Sequence, residues 1–558
     1  MMLRTLSSRV KRNWKSGLTV SLVAMPLSIS LAVASGSTPL IGIITAVWAG
    51  LIASVFGGSN YNVVGPTGAL SGLIAAYVVA HGTSGLPTLT VIAGLIILAA
   101  YALRLERYLI FIPSSVINGF TLGVAFTIAF GQFNSAFGLY GLPKHERFFS
   151  NVIESFAHLS RTSLPTLAVF CVFFVLLFIV RRLVPKIPGA LLLSPFGVLL
   201  GYLMTIGALP FLKIATLQSI YGTISFRLMQ TPHPEFATSM IVPAAAIALV
   251  AILETMLSAK ISDGMTHTKH NERREMLGLG LANIASGLMG GIPATAALAR
   301  TSLNIKTGAN NKISATLSAI FLALISFFLL AYFSYIPMAV IAAILVFVAV
   351  NMIEKEHFMR FFHYQRSGFW LSLLVAAITF GIDPIVGIVF GTAVSLILFL
   401  DKLSRGPFEL KLNTFDGGVV RSVSGDQLDE LDERADVLLY SIKGKLAYIN
   451  SRAHVSRFET GLSKYKIVII RLRSVYFIDL DGAEALDEII GIAKTRGQTV
   501  CITSLNPNIT GLLEQVSSMY RELKSQGLVF NKSEEALHHF GIHPSKETST
   551  QTHSASNA

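Results

Sequence analysis

A hydrophobic chain that stops being helical inside a membrane must pair its freed backbone groups with protein, and this sequence stops twice in the same way. One apolar run breaks at Phe56-Gly57-Gly58 and restarts at Gly65-Pro66-Thr67-Gly68-Ala69. Another breaks at Met289-Gly290-Gly291 and restarts at Ile292-Pro293-Ala294-Thr295-Ala296-Ala297. The residues ahead also echo each other, Ala53-Ser54 and Ala285-Ser286. Glycine and proline interrupt helices, and an interrupted helix survives in a bilayer only where it lines a cavity or packs against protein. A matched pair of breaks, one in each half, points to a transporter binding site at a repeat interface.

The membrane assignment rests on composition. Of 558 residues, 52% are hydrophobic and 13% charged, against roughly 25% charged in soluble domains. The apolar residues form fourteen segments, at about 17–35, 39–56, 63–81, 85–103, 108–136, 164–181, 187–207, 239–262, 276–291, 293–306, 312–333, 336–353, 369–381 and 383–401. Some are too short to span alone, since a full crossing takes about 20 residues. Arg4, Arg9, Lys11, Arg12 and Lys15 put residues 1–16 in the cytoplasm. The even-numbered segments then end in basic loops, such as Arg104/Arg107, Arg181/Arg182, Lys306/Lys312 and Arg360/Arg366. Seven segments precede about residue 210 and seven follow about residue 238. An odd number per half inverts the second copy. The expected fold is a polytopic α-helical membrane protein of 14 transmembrane segments in two inverted 7-segment repeats, with both termini cytoplasmic. The breaks fall in the third and tenth segments.

Residues 402–435 are charged and turn-rich, and read as a linker with an edge strand. Residues 436–542 alternate strand and helix patterns and predict a small α/β domain, with strands at 437–442, 466–471 and 499–503 and helices at 450–463, 481–496 and 508–525. The Ser/Thr-rich tail, 543–558, is expected to be disordered. Cys171 and Cys501 imply no disulfide framework. The net charge of +13 is accounted for by topology-setting loops, so no nucleic-acid partner is expected. No Walker A loop or nucleophile triad is present, so neither ATP drive nor an enzyme is expected. His267-Thr268-Lys269-His270 reads as a solvated loop and not a metal site.

The half-helix starts carry the binding chemistry. A helix N-terminus presents free N–H groups and about half a positive charge. Two such ends facing each other make an anion site without a lysine. Thr67 and Gly68 begin one; Ala296 and Ala297 begin the other. Their side chains are small enough to let an anion reach the backbone. The alternative is that these residues only allow close helix packing. Glu254, in the middle of segment eight, must face protein or water. It suits a proton- or cation-coupling site, with Ser258 one turn on; the alternative is a structural carboxylate paired with Arg300. Arg300 either adds positive potential near the anion or snorkels to the surface or into a salt bridge. Pro26 is expected to unwind segment one beside a cavity or merely to kink it. Gly387 and Gly391 are expected to pack within the bundle.

These residues resemble a known family. Gly57 to Gly68, Ser258 to Thr266 and Gly278 to Gly308 are similar to motifs of the SulP anion transporters, whose animal relatives are the solute carrier 26 proteins. The C-terminal domain resembles the STAS domain those proteins carry. The resemblance implies a core domain moving against a gate domain, and transport of sulfate, bicarbonate or C4-dicarboxylates. It maps substrate contacts onto Thr67, Ala296, Ala297 and the region of Leu31, and a coupling carboxylate onto Glu254. Sodium-coupled relatives have Asp with Thr a turn later; Glu254 with Ser258 leans towards protons over sodium, with no other cofactor. The common Pro-Gln-Gly of segment one is Pro26-Leu27-Ser28 here, which places Ser28 beside Leu31 among the candidates. The common arginine after Gly-Gly-Ser is Asn60. Related bacterial regulators place a phosphorylatable Ser or Thr where this chain has Asp481, so no serine switch is expected there.

The sequence therefore predicts a secondary active anion transporter, a proton symporter working by alternating access. It would sit as a homodimer in a bacterial inner membrane, with a cytoplasmic protein partner open to its STAS domain. The alternatives are an uncoupled exchanger or channel on the same fold, a sensor or scaffold acting through the STAS domain, and a nucleobase carrier of similar fold.

Overall fold

The computed structural model describes residues 2–143, 145, 148–184, 189–230, 238–353, 355–414, 419–425, 436–460, 462 and 465–542. The tail expected to be disordered lies outside them. The chain divides into two compact units, Met1–Ser395 and Leu396–Ala558.

Fourteen helices match the fourteen apolar segments. They are α1 (Met2–Ala34), α2 (Pro39–Phe56), α3 (Gly68–His81), α4 (Leu86–Ala102), α5 (Ser114–Gly131), α6 (Leu164–Leu183), α7 (Gly189–Thr205), α8 (Ile241–Thr266), α9 (Glu272–Leu288), α10 (Leu298–Lys306), α11 (Ile313–Phe333), α12 (Met338–Met352), α13 (Arg366–Gly381) and α14 (Pro384–Ser404). Among the described residues, eight apolar helical stretches are long enough to cross a membrane, and α3, α4, α7 and α13 are shorter. The shortness of α3 and α10 is the consequence of the two breaks.

Packing reproduces the inverted repeat. Helix α4 of the first half packs on α8 and α9 of the second, and α11 of the second packs on α1 and α2 of the first. These eight helices, α1–α4 and α8–α11, make one group. Helices α5–α7 and α12–α14 make the other, through α5–α13, α5–α12, α6–α12 and α6–α7 contacts. Close approach is built in with glycine. A Cβ on Gly58 would lie 2.0 Å from the Asn271 carbonyl oxygen, which leaves no room for any side chain. Gly387 and Gly391 press against Thr379 and Val375 of α13, so they pack within the bundle.

Segment one departs from expectation. Pro26 does not unwind it: α1 runs unbroken from Met2 to Ala34. Proline removes one backbone bond, and contacts from α2 and α11 hold the helix through the gap. The basic stretch before residue 16 is the first half of the same helix. It docks inward through Asn13, whose Oδ1 accepts from the Asn310 N–H at 2.8 Å, and Ser16, whose hydroxyl donates to Asn304 Oδ1 at 2.7 Å.

The C-terminal unit holds a six-stranded sheet. Its strands are β3 (Phe408–Asn413), β4 (Val419–Gly425), β5 (Val437–Leu446), β6 (Ile467–Ile478), β7 (Thr499–Thr503) and β8 (Val529–Phe530), in the order β4-β3-β5-β6-β7-β8. The β5–β6, β6–β7 and β7–β8 pairs are parallel and the β3 pairs antiparallel. Strand alternation sorts the core. Leu438, Tyr440, Ile442, Val468 and Ile470 face one layer; Val437, Leu439, Ile467 and Ile469 face another with Cys501 and Ile542. The presumed linker at 402–435 thus supplies two strands, and β3 is interior to the sheet because Phe408, Leu410 and Leu412 are fully buried. The helix expected over 508–525 is two, Pro507–Val516 and Ser518–Ser525, separated where the Ser517 hydroxyl caps the second by accepting from the Tyr520 N–H at 2.9 Å.

A buried polar cluster sits under this sheet. Tyr440 Oη and His454 Nδ1 lie 2.7 Å apart, and Arg457 donates to Tyr440 Oη at 3.3 Å and to the Gly406 carbonyl at 2.8 Å. Burial and the Arg457 charge push the His454 imidazole down to about 3. The folded ring is neutral, while in the unfolded chain it titrates near its ordinary 6.5. Between those values the unfolded state binds the extra proton, so stability falls as pH falls. The slope has a ceiling of about 1.4 kcal/mol per pH unit. Replacing His454 by Gln should flatten that dependence, read as hydrogen exchange of β5 and β6 in the full chain between about pH 6.5 and about pH 4.5. An undiminished slope in the variant would assign the effect elsewhere.

Candidate functional site

The two breaks pair with each other. Val64–Gly65 (β1) and Thr295–Ala296 (β2) form an antiparallel two-residue ladder, Val64 opposite Ala296 and Gly65 opposite Thr295. The Ala297 N–H donates to the Val63 carbonyl at 3.2 Å, extending it. Each interrupted backbone therefore satisfies the other, which the membrane interior demands. The ladder also fixes the starts of α3 and α10 next to each other.

Both starts are uncapped by their own side chains. Thr67 is the N-cap residue of α3, and threonine at that position ordinarily accepts from an N–H of the first turn. Here its hydroxyl donates instead to Glu254 Oε2 at 2.8 Å. The N-cap residue of α10 is Ala297, which has no capping group. Two helix ends thus keep free N–H donors and their partial positive charge. Thr67 and Ala296 are buried, while Gly68, Ala297 and Glu254 are half-buried. Leu31 and Ile128 close over Gly68: a Cβ there would lie 3.9 Å from Leu31 and 2.2 Å from Ile128.

The structure therefore gathers Thr67, Gly68, Leu31 and Glu254 with Ala296 and Ala297 around the ladder. Ser28 is fully buried, its hydroxyl without a hydrogen-bond partner, and its backbone carbonyl packs on Gly42. It lies in the α1–α2 contact. Arg300 neither snorkels nor meets Glu254. It is 2% exposed, donates to the Pro66 carbonyl and lies flat against Gly65. A small void of about 10 Å³, room for one water molecule, separates Arg300 from Ala24, Gly50 and Ser318. Ser258 is buried, with Asn62 Oδ1 at 3.0 Å and Thr301 Oγ1 at 3.1 Å.

Several residues that hold the site escaped the sequence reading. Thr255 Oγ1 accepts from the Ala296 N–H at 3.1 Å and meets Thr295 Oγ1 at 2.7 Å. Asn283 grips Ala294 on both sides, accepting from its N–H at 2.9 Å and donating to its carbonyl at 3.0 Å. Thr45 accepts from the Ile292 N–H at 2.9 Å, and Ser286 donates to the Ile292 carbonyl at 2.9 Å. Polar residues on apolar helices are the signal that could have found them.

Residues 11–375 match the sulfate permease family, and residues 430–536 match the STAS domain. The chain belongs to the sulfate permease family. It is a multi-pass membrane protein and an anion transporter of that family. A putative sulfate transporter of Bacillus subtilis, YvdB, is 30% identical over 91% of this chain and 93% of its own. The bicarbonate transporter BicA of Synechocystis is 24% identical, over 95% of each chain. Among solved structures, the murine solute carrier 26 family member A9 anion transporter shares the fold at a TM-score of 0.78 and 15% identity, covering 96% of this chain and 92% of that one. The transmembrane domain of a cyanobacterial BicA aligns at a TM-score of 0.57 and 23% identity, over 68% of this chain and 97% of that one.

Replacing Arg300 by Met keeps the bulk but leaves the Pro66 carbonyl unpaired and removes a buried cation beside the start of α3. A charged hydrogen bond is worth about 1.5–3 kcal/mol, so the half-saturating anion concentration in counterflow should rise roughly tenfold or more. An unchanged value would confine Arg300 to packing.

Proposed function

We propose that the chain is a proton-coupled symporter of a small oxyanion or carboxylate, of the sulfate, bicarbonate or C4-dicarboxylate class. One observation carries this reading: the Thr67 hydroxyl that should cap α3 is given to Glu254. The residue that begins the anion-facing helix and the residue that can take a proton share one hydrogen bond.

The charge balance follows. Ionised Glu254 sets a negative charge beside two half-helix N-termini and repels an entering anion. Protonation removes that charge and leaves the Arg300 cation and both helix dipoles facing the anion. Anion and proton then favour each other's binding, and linkage makes the effect reciprocal. Alternating access would move the α1–α4, α8–α11 group against the α5–α7, α12–α14 group, carrying both. The side chains around the ladder, Thr67, Gly68, Ala296, Ala297 and Leu31, recognise charge and size more than identity. The names of YvdB and BicA support sulfate and bicarbonate as first candidates. The direction of Ser258, towards Asn62 and Thr301, supports protons over sodium. We place the protein in a bacterial inner membrane as a homodimer with both termini cytoplasmic; its bacterial relatives support the first, and the apolar, largely exposed face of α14 suits a second copy.

Glu254→Gln keeps an acceptor for Thr67 but cannot titrate. In proteoliposomes, uptake of radiolabelled sulfate or bicarbonate driven by an inward proton gradient should fall to the level seen without a gradient, while counterflow persists. Proton-driven uptake equal to that of the unsubstituted protein would refute the role and leave uncoupled exchange.

A further inference from the structure

We infer that Glu275 and Asn62 form one positioning unit that fixes the first helix break and joins it to α8. Glu275 lies in the first turn of α9 and is 4% exposed. Its Oε2 accepts from the Gly58 N–H at 2.6 Å and the Ser59 N–H at 2.7 Å, and its Oε1 accepts from Asn62 Nδ2 at 2.6 Å. All three short contacts come from neutral donors. A buried carboxylate is costly unless its lone pairs are filled, and here the break loop fills them. Successive backbone N–H groups in a turn make a natural anion cradle; in this protein the cradle is occupied by a side chain from the other repeat.

The loop is held from its other side as well. Lys312 Nζ donates to the Gly57 carbonyl, at the negative C-terminal end of α2. Gly278, one turn beyond Glu275, lets α9 touch the loop, since a Cβ there would lie 2.5 Å from the Gly57 backbone.

Asn62 carries the constraint onward. Its Nδ2 also donates to the Thr255 carbonyl at 3.2 Å, and its Oδ1 faces the Ser258 hydroxyl at 3.0 Å. Ser258 meets Thr301, whose Oγ1 accepts from the Val63 N–H at 3.2 Å. The chain of bonds runs from α9 through the break to α8 and α10. It fixes Thr255, which holds the Ala296 N–H, and Thr255 is the neighbour of Glu254. Four residues separate Asn62 from Thr67, and β1 lies among them. Glu275 touches no anion; it acts through Asn62, by setting where the two helix starts stand. The inference rests on the anion site proposed above, but not on proton coupling.

Glu275→Gln turns the oxygen facing Asn62 into an N–H₂ group, so donor meets donor. Asn62→Asp turns the amide facing Glu275 into a carboxylate, so two acceptors meet. Together the two substitutions restore a donor opposite an acceptor at that contact, while the Thr255 carbonyl loses its donor in both variants that carry Asn62→Asp. Counterflow of radiolabelled sulfate and of bicarbonate, taking the faster as probe, needs no proton gradient. Each single variant should raise the half-saturating concentration roughly tenfold with a maximum rate changed by less than about threefold. The double variant should have a half-saturation at least about threefold lower than Asn62→Asp alone, because the contact with position 275 is the part restored. If a single variant cannot be purified folded, a double variant that folds and transports supports the unit. Unchanged half-saturation in Glu275→Gln, or no recovery in the double variant, overturns it. Glu254→Gln is measured beside them under a proton gradient, so a failure of coupling is told apart from a failure of positioning.

Discussion

The antiparallel pairing of Val64–Gly65 with Thr295–Ala296 is the contact on which the rest of the transport unit depends. Inside a membrane no water is available to bond a freed amide or carbonyl, and each group left unpaired costs several kcal/mol. Two breaks in separate places would each need their own remedy. Two breaks placed back to back remedy each other, and the inverted repeat is what brings them together. Once paired, they point α3 and α10 into one space with their N–H groups free.

The backbones are related by the repeat, but the clamps that hold them are not. The second break is fastened by neutral groups, Thr45, Asn283 and Ser286. The first is fastened by charges, Glu275 on its N–H groups and Lys312 on its last helical carbonyl. The echo of Ala53-Ser54 in Ala285-Ser286 ends at the sequence. Ser286 bonds the break, whereas Ser54 bonds its own helix at Leu51 and receives Thr316. The proposed division between an anion side and a proton side needs walls that differ in this way. Here the first repeat supplies Thr67 and the second supplies Glu254.

What was legible in the sequence was what the bilayer dictates. Apolar length gave the fourteen helices, loop charge gave the odd number per half, and glycine with proline gave the breaks. Thr67 and Glu254 stood out because a cap-forming residue after proline and a carboxylate in an apolar helix are both rare there. The clamps were hidden because they are long-range. Asn62 and Glu275 are 213 positions apart, and no local pattern announces that they touch. For Pro26 the sequence left unwinding and a kink open, because its local effect is a break, and tertiary contacts from α2 and α11 exclude the unwinding. Residues 402–435 were read as a linker with one edge strand, and the second strand, interior to the sheet, went unread because a charged, turn-rich stretch hides the alternation of Phe408, Leu410 and Leu412.

The buried charges argue for a site that is balanced and not simply positive. Arg300 stays on the Pro66 carbonyl, beside Gly65 of the ladder and buried. A guanidinium free to reach the anion would bind it tightly and release it slowly, which a carrier cannot use. Held by a carbonyl, it supplies potential without a direct bond. The same logic applies to the helix ends, whose half charges attract an anion but do not clasp it. Selectivity in such a site comes from what closes over it. Leu31 and Ile128 stand against Gly68 from α1 and α5, and α1 and α5 belong to different helix groups. Relative movement of those groups would open and close the wall at Gly68, so in the proposed carrier the wall that would measure an anion's size is also the one that alternating access would move.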